Sequence, residues 1–132
     1  MEAEIERLCK VLIKALNEWD FDYQSPEARI FRTQHVAPGF QGKLGQTLWA
    51  ISFDEQTELW RQAASDTPSV RYDIRKLDID IHKKDRTADV ILHSTMRKGD
   101  IKLLAACQLK WKFSQGRWQW YQHDGMRGII CD

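Results

Sequence analysis

From Val70 onward the apolar residues recur at every second position, in four stretches near 70–82, 86–97, 100–114 and 117–127. Lys84-Asp85, Lys98-Gly99 and Gln115-Gly116 separate them, each short enough to be a two-residue turn. Successive strands must then pair antiparallel, and every partner follows by counting. The count puts Leu77, Ile79 and Ile81 beside Leu92, Val90 and Ala88, and these beside Ala105, Cys107 and Leu109. It also sets Trp111 and Phe113 opposite Trp120 and Trp118. One face is therefore apolar from edge to edge. In the first strand the apolar phase is even at Val70, Tyr72 and Ile74 but odd at Leu77, Ile79 and Ile81, which predicts a bulge near Arg75-Lys76 and a bent sheet. The other face carries Asp78, Asp80, His82, Asp89, His93, Gln108 and His123, together with Ile91, Leu104, Ala106 and Tyr121. An apolar middle of that extent is more than a wetted face needs and points to a homodimer contact through the open sheet face.

The N-terminal half reads as helices. Ile5, Leu8, Cys9, Leu12, Leu16 and Trp19 recur at three-and-four spacing with charged residues between them, the pattern of an amphipathic helix. Ser25-Pro26 supplies a cap followed by proline at the first helical position, so a short helix spans 26 to about 34. Val36 to Gly45, rich in Gly and Pro, is an irregular strand or loop. Ser52-Phe-Asp-Glu55 is a capping box, opening a third helix with Leu59, Trp60, Ala63 and Ala64 as its apolar stripe. No repeat or linker interrupts the chain, so residues 1–132 form a single α+β domain, a cone of three helices packed on a strongly bent antiparallel sheet.

Composition narrows the function. Twenty basic against nineteen acidic residues leave a formal charge of +1, so bulk charge gives no support to a nucleic-acid coat, and any such site must be a local patch. The basic residues between Arg97 and Arg117 read as a solvated strand face, and Gly42-Lys-Leu-Gly45 imitates a phosphate clamp without its flanking helices, so nucleic acid is not the expected partner. No apolar run is long enough for a bilayer, and the first residues lack a signal peptide's basic start and apolar core, so the expected location is cytoplasmic, away from the membrane. Cys9, Cys107 and Cys131 lack paired short spacing and read as reduced thiols; no metal or cofactor motif is present.

Four segments carry a resemblance across nearly the whole chain: the Trp19-Asp20 helix end, Val36-Ala-Pro-Gly-Phe40, the helix from Ser52, and Gln115-Gly-Arg-Trp-Gln-Trp120. In this order they resemble the nuclear-transport-factor-2-like superfamily, in particular its SnoaL-like branch. The resemblance implies helices folded over a curved sheet around an apolar pocket. Its members include ketosteroid isomerases, scytalone dehydratases, polyketide cyclases, and non-enzymatic transport or assembly domains, so fold alone does not choose an activity.

The counted register puts Asp124 across from Cys107, in the row of Val90 and Ile79 on the apolar face. Desolvation there would lift its carboxyl into the range of a general acid or base, and Asp124 is the position matching the acidic residue that SnoaL-like cyclases place on the last strand. Alternatively the strand frays at His123-Asp124-Gly125 and Asp124 sits at the rim. Tyr72 has the phase of a pocket hydroxyl, whereas His93 and His123 fall on the opposite face and would turn inward only on a one-residue slip. His35 lies where it could reach the cone's mouth. Trp111, Trp118 and Trp120 read chiefly as one end of the core. The expected pocket is lined by Leu12, Leu16, Tyr72, Val90, Cys107, Trp120, Gln122 and Asp124, and it holds a small lipophilic, polyketide- or terpenoid-like molecule. With Asp124 moving a proton and Tyr72 or Gln122 orienting an oxygen, the chemistry would be a cofactor-free cyclisation, isomerisation or dehydration. The alternative is a non-catalytic protein-interaction or assembly module.

Overall fold

The computed structural model describes residues 1–43 and 49–125, and of 129–131 the backbone alone. The order is α1 (Glu2–Asn17), α2 (Pro26–Gln34), β1 (Val36–Lys43), α3 (Phe53–Asp66), β2 (Arg71–His82), β3 (Thr87–Lys98), β4 (Ile101–Ser114), β5 (Arg117–Gly125) and β6 (Ile129–Cys131). Leu44 and Gly45 of the Gly-Lys-Leu-Gly run, and positions 126–127 of the expected last strand, lie outside the described residues.

Local chemistry sets the helix ends. Ser25 Oγ accepts from the Ala28 amide at 3.3 Å, with Pro26 at the first helical position. Ser52 and Glu55 exchange both capping-box bonds at 3.1 Å. Helix α1 stops at Asn17, short of Trp19, which takes a left-handed φ of 58° and is 47% exposed instead of joining the apolar stripe. Asn17 also binds both backbone groups of Tyr72, its Nδ2 donating to the carbonyl at 2.7 Å and its Oδ1 accepting from the amide at 2.8 Å, which clamps the end of α1 to the start of β2. In α3 the buried face is Phe53, Gln56 and Thr57, with Trp60 packed against the core. Leu59 and Ala63, expected inside, are exposed. Among the described residues no helix is long and apolar enough to cross a membrane.

The strands form one sheet in the order β1-β5-β4-β3-β2, with β6 continuing beside β4. It is mixed, because β1 joins β5 in parallel while the other pairs are antiparallel, as expected for β2 to β5 and with the β4–β6 pair not foreseen. The β2–β3 register is the counted one, Leu77, Ile79 and Ile81 pairing with Leu92, Val90 and Ala88, and the bulge falls at Arg75. The β3–β4 turn sits one residue later than counted, at Gly99-Asp100, because Gly99 supplies the positive φ (61°) that the first turn position of a type II′ hairpin requires. The pairing moves by two, so faces are kept: Leu92 lies beside Cys107, Val90 beside Leu109, and Ala88 beside Trp111. The β4–β5 pairing begins as counted, Phe113 with Trp118 and Trp111 with Trp120, and then slips by one. Tyr121 is the extra residue, so Lys110 pairs with Gln122, Leu109 with His123 and Gln108 with Asp124.

The helices cover the face bearing Ala88, Val90, Leu92, Leu109 and Trp111, all buried. Trp111 and Trp120, both 0% exposed, stack with ring centroids 6.0 Å apart, and Phe31 and Phe40 meet Trp120 edge-on. Burying rings of this size gives about 4–6 kcal/mol each at 25 cal/mol per Å². That aromatic packing fills the half of the cone nearest the β4–β5 hairpin.

Candidate functional site

Away from that hairpin the inward tryptophan and phenylalanine rings give way to aliphatic and small side chains, with Tyr72 at the far end. The rows run Leu77–Leu92–Cys107–Gly125, then Ile74–Ser94–Ala105, then Tyr72–Met96–Leu103. On these strands Val90, Leu92, Ser94 and Leu109 are buried, whereas Met96, Leu103, Ala105 and Cys107, on the same inward face, remain partly exposed. The inner face is thus packed at the hairpin end and less completely covered along β4. Helix α1 crosses this surface with Cys9 beside Cys107, and burial pushes both thiols up to about 12, so neither is a nucleophile at neutral pH.

Beside the sealed row of Val90 and Leu109 lies a buried polar pair. The one-residue slip at Tyr121 turns His123 inward, 6% exposed, between Trp120 and Trp60 with ring centroids 5.3 and 6.0 Å away. Its Nδ1–H donates to Gln56 Oε1 at 2.8 Å. Desolvation lowers the imidazole to about 4, opposed only by the Asp124 carboxylate, so the ring is neutral and its Nε2 carries the lone pair. Gln56 is fully buried, and its Nε2 has no hydrogen-bond partner among the described residues. A buried amide donor without an acceptor costs about 1–3 kcal/mol, and a polar atom of a bound molecule or a water would remove that cost. Strand β1 makes room for it: a Cβ on Gly42 would stand 2.6 Å from Gln56 Oε1. Beside the pair, Tyr23 Oη and Thr57 Oγ1 are 3.0 Å apart and satisfy each other.

The expected site residues are dispersed. Asp124 pairs with Gln108 on the outer face, where its Oδ2 accepts from Gln122 Nε2 at 2.8 Å; the same slip that buried His123 turned both outward. Tyr72 lies on the groove between α1 and β2, and burial raises its phenol. Its row is six positions along β2 from Asp78, the residue in Asp124's row, and three strand spacings across, roughly 20 Å by 14 Å of sheet. Asp124 and Tyr72 therefore do not form a working pair. Leu12, Val90 and Trp120 are sealed in the core at 4%, 0% and 0% exposure, while Leu16 and Cys107 are partly buried. His35 is buried at the β1–β5 junction with Nδ1 donating to the Trp118 carbonyl at 2.7 Å, a structural role, and His93 stays on the outer face against Asp78 at 2.9 Å. Among the described residues no group of three His, Cys, Asp or Glu is placed to hold a metal ion.

No family model matches the sequence, and no curated protein is significantly similar to it. Solved structures are more informative. A Caulobacter vibrioides protein with a cystatin-like fold superposes with a TM-score of 0.73 at 10% identity, over 99% of this chain and 89% of that one. An NTF2-like protein of unknown function from Pseudomonas putida gives 0.71 at 14% identity, over 93% and 83%. The chain has the nuclear-transport-factor-2-like fold. A Shewanella frigidimarina protein proposed to be a ketosteroid isomerase shares it, with a TM-score of 0.67 and 17% identity over 91% and 92%. At such identities the likeness establishes this fold and leaves its chemistry to the site.

Sequence reasoning placed His123 on the outer face, to be turned inward only by the one-residue slip that the structure contains, and it passed over Gln56. Gln122 and Asp124, two polar residues continuing the inward phase of Trp118 and Trp120, were the available sign that the phase breaks at Tyr121.

Proposed function

We propose that the protein binds a small lipophilic molecule against the less completely covered part of its inner face, along β4, with Gln56 and His123 as the polar anchor. The observation that carries this reading is the partial exposure of Leu103, Ala105 and Cys107 along β4, on an inner face where Val90, Leu92, Ser94 and Leu109 are buried. The unpartnered Gln56 Nε2 and the lone pair of His123 offer one donor and one acceptor, suiting a ligand with a carbonyl or hydroxyl on an apolar frame. Binding is favoured over proton transfer because an imidazole at about 4 is a thousandfold weaker proton holder than pH 7 requires. A cyclase, isomerase or dehydratase activity would need the ligand to raise that value, and Asp124 on the outer face does not serve it.

Nile red, a neutral apolar dye, tests the site. Saturable emission enhancement with one dye per chain is expected, abolished by Ala105→Trp, which fills the surface from its floor. Absence of saturation, or binding untouched by Ala105→Trp, would overturn the proposal.

A second reading concerns the outer face. Ile91, Ala106 and Leu104 form an apolar strip there, flanked by Asp78 paired with His93 and by Asp89 paired with His82. We infer that a second copy of the chain covers this strip, and such pairing is compatible with ligand binding on the inner face.

A further inference from the structure

At the packed end of the cone the β2–β3 turn and the base of the β4–β5 hairpin border a half-open cavity of about 280 Å³ beside Met1, the N-cap of α1. Ile81, Phe113 and Trp118 line it, with the two rings edge-to-face at 5.4 Å. Its remaining walls come from Met1, His82, Lys83 and Arg86. His82 is already held by Asp89 and Asp80, at 3.0 and 3.6 Å. Lys83, Lys84 and Arg86 form no ion pair among the described residues, and neither does Asp85 between them, whose charge reaches His82, so the net uncommitted charge of the turn is positive. Arg86 adopts a left-handed φ of 57°, a conformation that glycine takes at less cost, while its carbonyl accepts from the Phe113 amide at 2.8 Å. A bulky cation is thereby held in a strained backbone position at the mouth of an apolar cavity.

We propose that this cavity is a binding site for a small aromatic monocarboxylate, its ring against Phe113 and Trp118 and its carboxylate between Lys83 and Arg86. The volume lies just below that of small-molecule pockets, about 300–1,000 Å³, which suits a single ring. The carboxylates of Asp80 and Asp89 stand behind His82 and disfavour a dianion, so a monoanion is the better match to the rim. The site is separate from the Gln56–His123 pair and does not depend on it.

Benzoate is the probe, followed by the Trp118 indole and Phe113 amide resonances in nitrogen-edited NMR. Saturable shifts of both are expected with benzoate, with benzamide, the uncharged analogue of like shape, binding about tenfold more weakly. Arg86→Gly relieves the backbone strain and should fold with an equal or higher Tm, yet bind benzoate about tenfold more weakly. Lys83→Gln, in an exposed turn, gives a second reading independent of the backbone at residue 86 and should show the same direction. The proposal is overturned if benzoate gives no saturable shift, if benzamide binds as well, or if both variants bind benzoate like the parent protein.

Discussion

Replacing His123 with glutamine tests the burial of the imidazole through pH. In the unfolded chain this ring takes up its proton near 6.5, and in the folded chain at about 4. The unfolded state therefore binds more protons between those values, and stability falls as pH falls. The neutral ring's contribution is fully present above about pH 6.5 and disappears as pH drops through 4. At 1.36 kcal/mol per pKa unit the full difference is about 3 kcal/mol, of which about 2 kcal/mol is already lost near pH 5. His123→Gln removes the titration while keeping a side chain able to bond Gln56, and carboxylates titrating elsewhere cancel in the comparison. Urea unfolding of both proteins at about pH 7.5 and about pH 5 gives the result directly. The parent should lose about 2 kcal/mol more than the variant. A difference below about 0.5 kcal/mol would refute the burial argument, and with it the tautomer assigned to the ring.

Gly42→Ala should lower stability by roughly 1–2 kcal/mol in the same unfolding assay, because the added methyl displaces the Gln56 amide from His123 while the backbone accepts alanine without strain; unchanged stability would show that Gln56 moves aside freely. For the outer face, Leu104→Glu places two carboxylates in an isologous contact, and light scattering should show the dimer dissociating to monomer with affinity weakened about a hundredfold, a cost of about 3 kcal/mol. A monomeric parent protein, or a variant keeping the dimer mass, would remove that face as the contact.

Much of the fold was legible because its causes are short-ranged. Ser25-Pro26 and Ser52-x-x-Glu55 start α2 and α3 through bonds spanning three residues, and the structure contains those bonds. The bulge at Arg75 was visible because apolar residues flank it on both sides, so the change of phase is written in side-chain type. The Gly99-Asp100 turn was misplaced by one residue without consequence, since a shift of two in pairing leaves every side chain on its face. The candidate site was legible only in part. Its floor of Ser94, Ala105 and Cys107 follows from strand phase, but Gln56 lies on the buried face of α3 as a polar residue among apolar ones, and hydrophobic periodicity passes over it.

The sequence alone determined the elements, the hairpin order and which strand faces are apolar, because periodicity, caps and turn preferences act between residues a few positions apart. The tertiary structure decided that β1 enters the sheet in parallel, that Leu59 and Ala63 face outward, and that Tyr121 is left unpaired so that His123 rather than Asp124 turns inward. An unpaired residue in one strand reverses every side chain after it, and it is the neighbouring strand that determines where it falls.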